Sequence, residues 1–533
     1  MIDAELRAHE QQLARRGVEV WVGAEPTFTR AESLAPAWLH TAQGDDKLEY
    51  AQALARALAA RLHATVERVP GRQFPDEPEP RFAIAVRWTD ARPRYATITP
   101  DPGVVEVNAA PCADTLELAD QLHAIYDAAH AAGLSPVRRR FHGELADSGG
   151  GGQLTLGGAM PETSPFLRYP HVLPALVRYL NNHPALSYWF ANECVGSASQ
   201  GPRPDEGARE RWDELGVALA WAEQLADRGE LSPDRLQATL APLLVDASGN
   251  SHRAELNLEK LWNAHLPAHG PRHGKMGVVE LRAIRMPERP SMLCALAALA
   301  RAIVARLVVA HYREPLVDWH DELHDRFALP AALARDLRLV LGDLDDHGLG
   351  LPAALRGELE SWRPGGITCQ LGDATLALRP ALEFWPLVGD TASQERAGAR
   401  WVDASTERWE LAIDGAGPER VAIAGRWAPL RSLGDTTRAL GVRRRRFAPS
   451  PGLHPGLPPL DPLVIEWAWA GRAQRIELHA WRPSGGAYDA LPADDADALA
   501  RRTERIRIAT RDGDVEAAGF WRETRPFTVD LRI

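Results

Sequence analysis

Glu106 and Asn108 stand two residues apart in Val104-Val-Glu-Val-Asn108, directly after the turn-forming stretch Thr99-Pro-Asp-Pro-Gly103. The β-branched run predicts a short strand, and a period of two sends both polar side chains to one face. A carboxylate beside a carboxamide is a pair of hard oxygen donors, suited to Mg²⁺ and to a nucleotide or amino-acid ligand. Similar groups recur along the chain. Glu25 ends the strand that runs from Gly17-Val-Glu-Val-Trp-Val22 into Gly23-Ala-Glu-Pro26. Gln153 follows four glycines in Ser148-Gly-Gly-Gly-Gly-Gln153 and shares a strand face with Thr155. Arg253, Glu255, Asn257 and Glu259 alternate with Ala254, Leu256 and Leu258, which predicts one polar and one apolar face. Glu280 and Arg282 fall on one face of Gly277-Val-Val-Glu-Leu-Arg-Ala283. An arginine beside a carboxylate keeps it ionised, and its planar fork suits phosphate. Carboxylates converging from one sheet bind a divalent metal that bridges phosphates, and arginines at the rim neutralise charge in phosphoryl transfer. The predicted chemistry is therefore metal-assisted phosphoryl or acyl-phosphate transfer. Successive glycines also allow backbone amides to point at one centre, as in a phosphate cradle. A flexible hairpin for the glycines and a plain amphipathic edge strand for 253–259 are the alternatives.

The elements that must position these groups alternate between helix and strand. Helical spacing covers residues 1–16, 45–69, 115–132, 171–182, 207–226 and 291–312, and strand patterns cover 82–88, 95–99 and 104–108. From about residue 365 short strand-like runs punctuated by glycine and proline predict a β-rich module. The expected fold class is α+β. Residues 1–362 are expected to form a catalytic domain and residues 363–533 a β-rich C-terminal domain. No internal repeat is apparent.

Bulk properties narrow the partners. The chain has 533 residues, enough for two or three cores, and a net charge of -11, which argues against a large nucleic-acid footprint. Arg443-Arg-Arg-Arg446 is then expected to be a solvated loop or a local anion clamp. Cys112, Cys194, Cys294 and Cys369 lie far apart, which excludes a CxxC zinc site or disulfide framework and fits a reducing cytoplasm. The most apolar run, Met292–Ala310, carries Arg301 and Arg306 and predicts a buried core helix, with no membrane span. The first ten residues show no apolar signal segment.

Several segments carry a family likeness: Gly23-Ala-Glu-Pro-Thr-Phe28, Thr99–Asn108, Ser164-Pro-Phe-Leu-Arg168, His183-Pro-Ala-Leu-Ser-Tyr188, Ser199-Gln-Gly-Pro-Arg-Pro-Asp-Glu206, Gly249-Asn-Ser-His-Arg-Ala-Glu255 and Val279-Glu-Leu-Arg-Ala283. In order and spacing they resemble the bacterial amidoligase family of glutamine-synthetase-like carboxylate–amine ligases, from about residue 17 past Asp489. That family is commonly joined to a transglutaminase-like domain, and the short stretch before residue 17 implies a freestanding ligase unit. The resemblance implies a glutamine-synthetase-like catalytic domain, with an antiparallel sheet and flanking helices cupping ATP and Mg²⁺. It implies amide or peptide bond formation through an acyl phosphate, from small-molecule or peptide carboxylate and amine substrates. Companion enzymes of the same pathway are a further implied partner. By position, Glu25, Glu106, Glu255 and Glu280 are the implied metal carboxylates, with Gln153 a carbonyl ligand and Arg282 the phosphate-stabilising arginine. Arg168, Arg203 and Arg253 are implied ATP or carboxylate contacts; Asn108, Asn250 and His252 are implied substrate contacts. Three positions depart from the family pattern: Gln153 replaces the end of an Asn-His pair, Leu145 replaces a histidine, and Arg285 replaces an acidic residue. These departures leave a second reading, a degenerate ligase that holds a peptide or a partner protein.

Overall fold

The computed structural model describes residues 2–30, 45–70, 82–88, 95–263, 274–363, 365–386, 403–447, 453–454 and 456–533. Its centre is an eight-stranded antiparallel sheet. The strands are β1 (Trp21–Phe28), β2 (Ala64–Pro70), β3 (Phe82–Trp88), β4 (Tyr95–Asp101) and β5 (Val104–Asn108). After the small hairpin β6 (Val137–Arg139) and β7 (Leu145–Asp147) come β8 (Gly152–Gly157), β10 (Leu256–Asn257) and β11 (Val279–Leu281), with β9 (Cys194–Val195) outside this sheet. Across the main sheet the order is β10-β11-β8-β1-β5-β4-β3-β2.

The two faces of this sheet differ completely. Val22 lies opposite Leu156, Ala24 opposite Leu154, Phe28 opposite Val105 and Leu281 opposite Leu154, all on one apolar face. Under β1, β8 and β11 that face packs on the helices Thr115–Ala131, Val172–Asn182 and Pro290–Val309. Under β3, β4 and β5 it packs on the helix Asp45–Leu62 through Leu54, Leu58, Ile84, Val86, Ile98 and Val107. A strand buried on one side only must alternate in this way, and a register slip of one residue would expose the whole apolar set. The helical spacing over 45–69 ends earlier than expected. The helix stops at Leu62, His63 takes φ 49°, and residues 64–70 pair with 82–88 as the edge strand. Val66 and Val69 are the β-branched signal that helical periodicity masks.

The apolar helix Pro290–Val309 is long and hydrophobic enough to cross a membrane, yet 89% of its apolar window is buried inside the protein. Both of its arginines are held internally. Arg301 donates from Nε to the Val20 carbonyl (2.7 Å) and from Nη2 to the Ala113 carbonyl (2.9 Å), and pairs with Glu10. Arg306 donates to Asp343 at 2.8 Å.

The C-terminal region is β-rich, as expected. A six-stranded and a five-stranded sheet share one core, in which Leu376, Ile413 and Leu440 of one meet Val421, Ile465 and Ile476 of the other. The arginine run 443–446 is no solvated loop. It ends the strand Thr437–Arg445, and each guanidinium has an internal partner. Arg443 donates to Glu383 (2.9 Å), Arg444 to Glu407 (2.6 Å), Arg445 to the Leu457 carbonyl (3.2 Å), and Arg446 lies 3.5 Å from Glu144.

Arg301 ties the N-terminal helix, β1 and the core helix together, so its loss leaves Glu10 without a counter-charge. Arg301→Met is expected to cost on the order of 2–3 kcal/mol in urea unfolding. A loss below about 0.5 kcal/mol, the scale of neutral surface changes, would contradict this role.

Candidate functional site

The polar face of the sheet is the floor of a cleft of about 910 Å³. Strand register explains its composition. Glu25 on β1 lies opposite Gln153 on β8, and Glu280 on β11 lies opposite Thr155 on β8 and Asn257 on β10. On the other side, Thr27 lies opposite Glu106, Glu106 opposite Thr99, and Asn108 opposite Thr97. Cross-strand neighbours share a face, so one polar row runs from Asn257 to Thr97. Glu25, Glu106, Asn108, Gln153, Glu280 and Arg282 all line the cleft, as do His252 and Arg253. The sheet thus brings together the strand-borne residues of the sequence reading.

Electrostatics within the row are strongly unfavourable without a cation. Burial pushes the Glu106 carboxyl from the ordinary 4.5 up to about 8, and Glu25 and Asp101 push it the same way, against a 2.7 Å hydrogen bond from Asn108 Nδ2. Burial also raises Glu25, with Glu280 adding to the effect and Lys260 opposing it. Each carboxylate has a separate partner: Glu106 has Asn108, Glu280 has Arg282, and Glu25 has Lys260 Nζ at 3.6 Å. Among the described residues no three His, Cys, Asp or Glu side chains stand close enough together to hold a metal ion. Like charges in a poorly solvated row separate in this manner. The amide carbonyl of Gln153 is different. Gln153 is 2% exposed; its amide Nε2 donates to the Gly150 carbonyl (2.9 Å), while Oε1 is buried with no partner among the described residues. A buried acceptor of this kind in a carboxylate row fits a hard divalent cation.

Four implied contacts lie elsewhere. Glu255 was expected in the carboxylate row. The alternation over 253–259 is interrupted, because Ser251–Arg253 form a 3₁₀ turn and only Leu256–Asn257 are strand. The Glu255 carboxylate turns to the helical side, accepting from Ser187 Oγ, and burial pushes it up to about 7 against the pull of Arg203. Arg203 is 2% exposed and fully engaged by Asp205 (2.8 Å), Ser187 (3.1 Å) and the carbonyls of Leu180 and Asn181, so it organises that side rather than reaching the cleft. Arg168 lies over the Tyr169 ring, 5.4 Å from its centroid, and does not line the cleft. Asn250 caps the 3₁₀ turn by accepting from His252 N–H at 2.9 Å, and is likewise outside the lining.

The glycine run is a packing device rather than a phosphate cradle. The Gly149 amide donates to Asp147, the Gly150 amide to Ser148 Oγ, and the Gly152 amide to the Ile284 carbonyl at 3.1 Å. A Cβ at Gly150 would meet Thr27 Cγ2 at 2.8 Å, and Gly151 has φ +86°, so glycine is required for the loop to lie on β1. The loop forms one wall of the cleft, where Gln200 Nε2 donates to the Gly150 carbonyl at 2.6 Å.

Other lining residues escaped the sequence reading. Lys260 directly follows the alternating segment, and extending that pattern by one residue would have reached it. Thr97, Thr99 and Gln200 are strand or loop polar groups without a distinctive motif. Trp385 comes from the C-terminal region: Glu383–Phe384 pairs in parallel with β9, which carries Trp385 to the cleft with its indole N–H buried and unpaired.

With this geometry established, comparison with known proteins gives the class. The family model described as "Putative amidoligase enzyme (DUF2126)" matches residues 2–95 and 89–532. The chain belongs to this amidoligase family. No curated protein matches the chain. Among solved structures, a GmaS/ADP complex is 14% identical with a TM-score of 0.32, covering 66% of this chain and 71% of its own. A novel glutamine synthase homolog is 17% identical with a TM-score of 0.31, covering 67% and 74%. These are distant likenesses, and the assignment rests on the family match.

The Glu106 titration gives a testable consequence. Between pH 4.5 and about 8 the folded protein retains a proton that the unfolded chain has released, so folding stability falls as pH rises through that window. In metal-free buffer, Glu106→Gln is expected to flatten this slope and raise the thermal midpoint at pH 8 on the order of 2 °C. An unchanged slope would show that Glu106 is not the buried acid.

Proposed function

We propose that the cleft binds ATP with Mg²⁺ and that the protein joins a carboxylate to an amine through an acyl phosphate. The observation that carries this reading is the row Glu25, Glu106 and Glu280 on one buried sheet face, with the unpaired carbonyl of Gln153 between them. Glu25, Glu106, Gln153 and Glu280 would hold the metal. A Mg²⁺ ion held there would supply charge neutralisation and positioning for the phosphates. In the first step a carboxylate oxygen of the substrate attacks the γ-phosphorus and ADP leaves. In the second the amine nitrogen attacks the acyl carbon, loses a proton and expels phosphate. Arg282, beside Glu280 at the cleft floor, is suited to the charge that builds on the transferring phosphoryl oxygens. Asn108 orients Glu106, and His252 and Arg253 on the rim are candidate substrate contacts. Trp385 supports a covering role for the C-terminal region, which we propose begins near residue 363. A cytoplasmic location and companion enzymes remain part of this proposal.

Lys260 is the observation that favours a second reading. An ammonium 3.6 Å from Glu25 partly neutralises the row without metal, as in a ligase fold that has become a peptide- or partner-binding module.

Release of ADP and phosphate that requires both a carboxylate and an amine decides between the two. Glu280→Ala and Glu106→Ala are each expected to lower kcat by roughly 10²–10³-fold, the scale for removing one preorganised electrostatic group. Activity within about threefold of wild type would remove these residues from the site; absence of nucleotide turnover and binding in the wild type would favour the binding module.

A further inference from the structure

One wall of the cleft carries positive charge that the proposed metal site does not use. Arg285 lines the cleft and is only 5% exposed. Its backbone N–H donates to the Phe190 carbonyl at 2.8 Å, and its carbonyl lies against Gly152, next to Gln153. Among the described residues its guanidinium makes no hydrogen bond and no ion pair. Arg363 stands near it and, among the described residues, forms no ion pair with a carboxylate: Nη1 donates to the Asn192 carbonyl at 3.4 Å, Nη2 to the Tyr188 carbonyl, and Nε is buried and unpaired. Burial, with the repulsion of Arg285 added, pushes Arg363 down to about 9.

The neighbouring acids are already engaged. Asp147 accepts from Asn192 Nδ2 (3.0 Å), Gly149 N–H (3.1 Å) and Met286 N–H (3.3 Å), and Glu193 accepts from Arg140 at 2.7 Å. Two adjacent buried cations with no ion-paired carboxylate among the described residues are costly in the folded protein. We propose that Arg285, backed by Arg363, binds a second, non-reacting carboxylate of the acid substrate, so that the acid joined to the amine is a di-acid. This rests on the ligase reading above, in which the first carboxylate is activated over Glu106 and Glu280. A carboxylate fits better than a phosphate here. A guanidinium fork matches either anion, but a phosphate site also draws on backbone amides, and those of Gly149, Gly150 and Gly152 already donate to Asp147, Ser148 and Ile284.

The test is titration calorimetry with dicarboxylates from malonate to adipate and with the matching monocarboxylates, with and without Mg²⁺·ADP. At least one dicarboxylate is expected to bind roughly tenfold or more tightly than its monocarboxylate, the scale of one charge-assisted pair. Arg285→Gln should abolish that preference while Mg²⁺·ADP affinity stays within about twofold. Arg285→Lys, which keeps the charge without the fork, should retain part of it, and decides the matter if the glutamine variant does not fold. No preference at any chain length, or a preference intact in both variants, overturns the proposal. So does a loss of Mg²⁺·ADP binding in a folded Arg285 variant, which would assign the residue to the nucleotide. If the wild type fails to bind Mg²⁺·ADP, the ligase reading falls, and the dicarboxylate preference measured without nucleotide still decides the anion site.

Discussion

Mutual repulsion among carboxylates that water cannot fully solvate is the constraint on which this structure turns. Glu25, Glu106 and Glu280 share one face of a sheet whose other face is sealed by helices. Their strands cannot move apart, because β1, β5, β8 and β11 are held by their ladders and by the cores beneath them. The charge must be relieved in place, by protonation, by local hydrogen bonds or by a cation. The bare protein uses the first two together with Lys260. A divalent ion would replace all of them at once, which is how a stable scaffold can hold an unfavourable site ready for ligand.

The walls of the cleft follow from the same scaffold. The glycine loop lies on Thr27 because side chains there would clash, and the amides of Gly149, Gly150 and Gly152 already have acceptors in the fold. The C-terminal region reaches the cleft through one short parallel pairing at β9. The arginine run 443–446 anchors that connection through Glu383 and Glu144, one residue from each of the two chain regions that flank the cleft. Residues distant in sequence therefore set one concave surface, negative at the sheet floor and positive toward Arg285.

Much of this was legible in the sequence where strand periodicity held. Glu106 with Asn108 and Glu280 with Arg282 each sit two apart in strands flanked by apolar residues, and the structure puts both pairs on the cleft floor. Gln153 was legible as the first polar residue after the glycines. Glu255 was not, because a two-residue strand entered from a 3₁₀ turn does not preserve alternation, and the side chain rotated to the helical side. The family resemblance implied Arg203 as a ligand contact, but its partners Asp205 and Ser187 come from the fold itself. Trp385 and Arg285 acquire meaning only when long-range pairing carries them to the cleft. Helical periodicity over 45–69 hid an edge strand whose exposed face lacks a clear alternation.

The central claim is that buried acid is exchanged for metal in this cleft. Calorimetric titration of Mg²⁺·ATP near pH 7, repeated in buffers of different ionisation enthalpy, measures it directly because it counts protons as well as ligand. Binding accompanied by release of about one proton, with that release abolished in Glu106→Gln, is the expected result. Binding with no proton released, or no binding at all, would contradict the account.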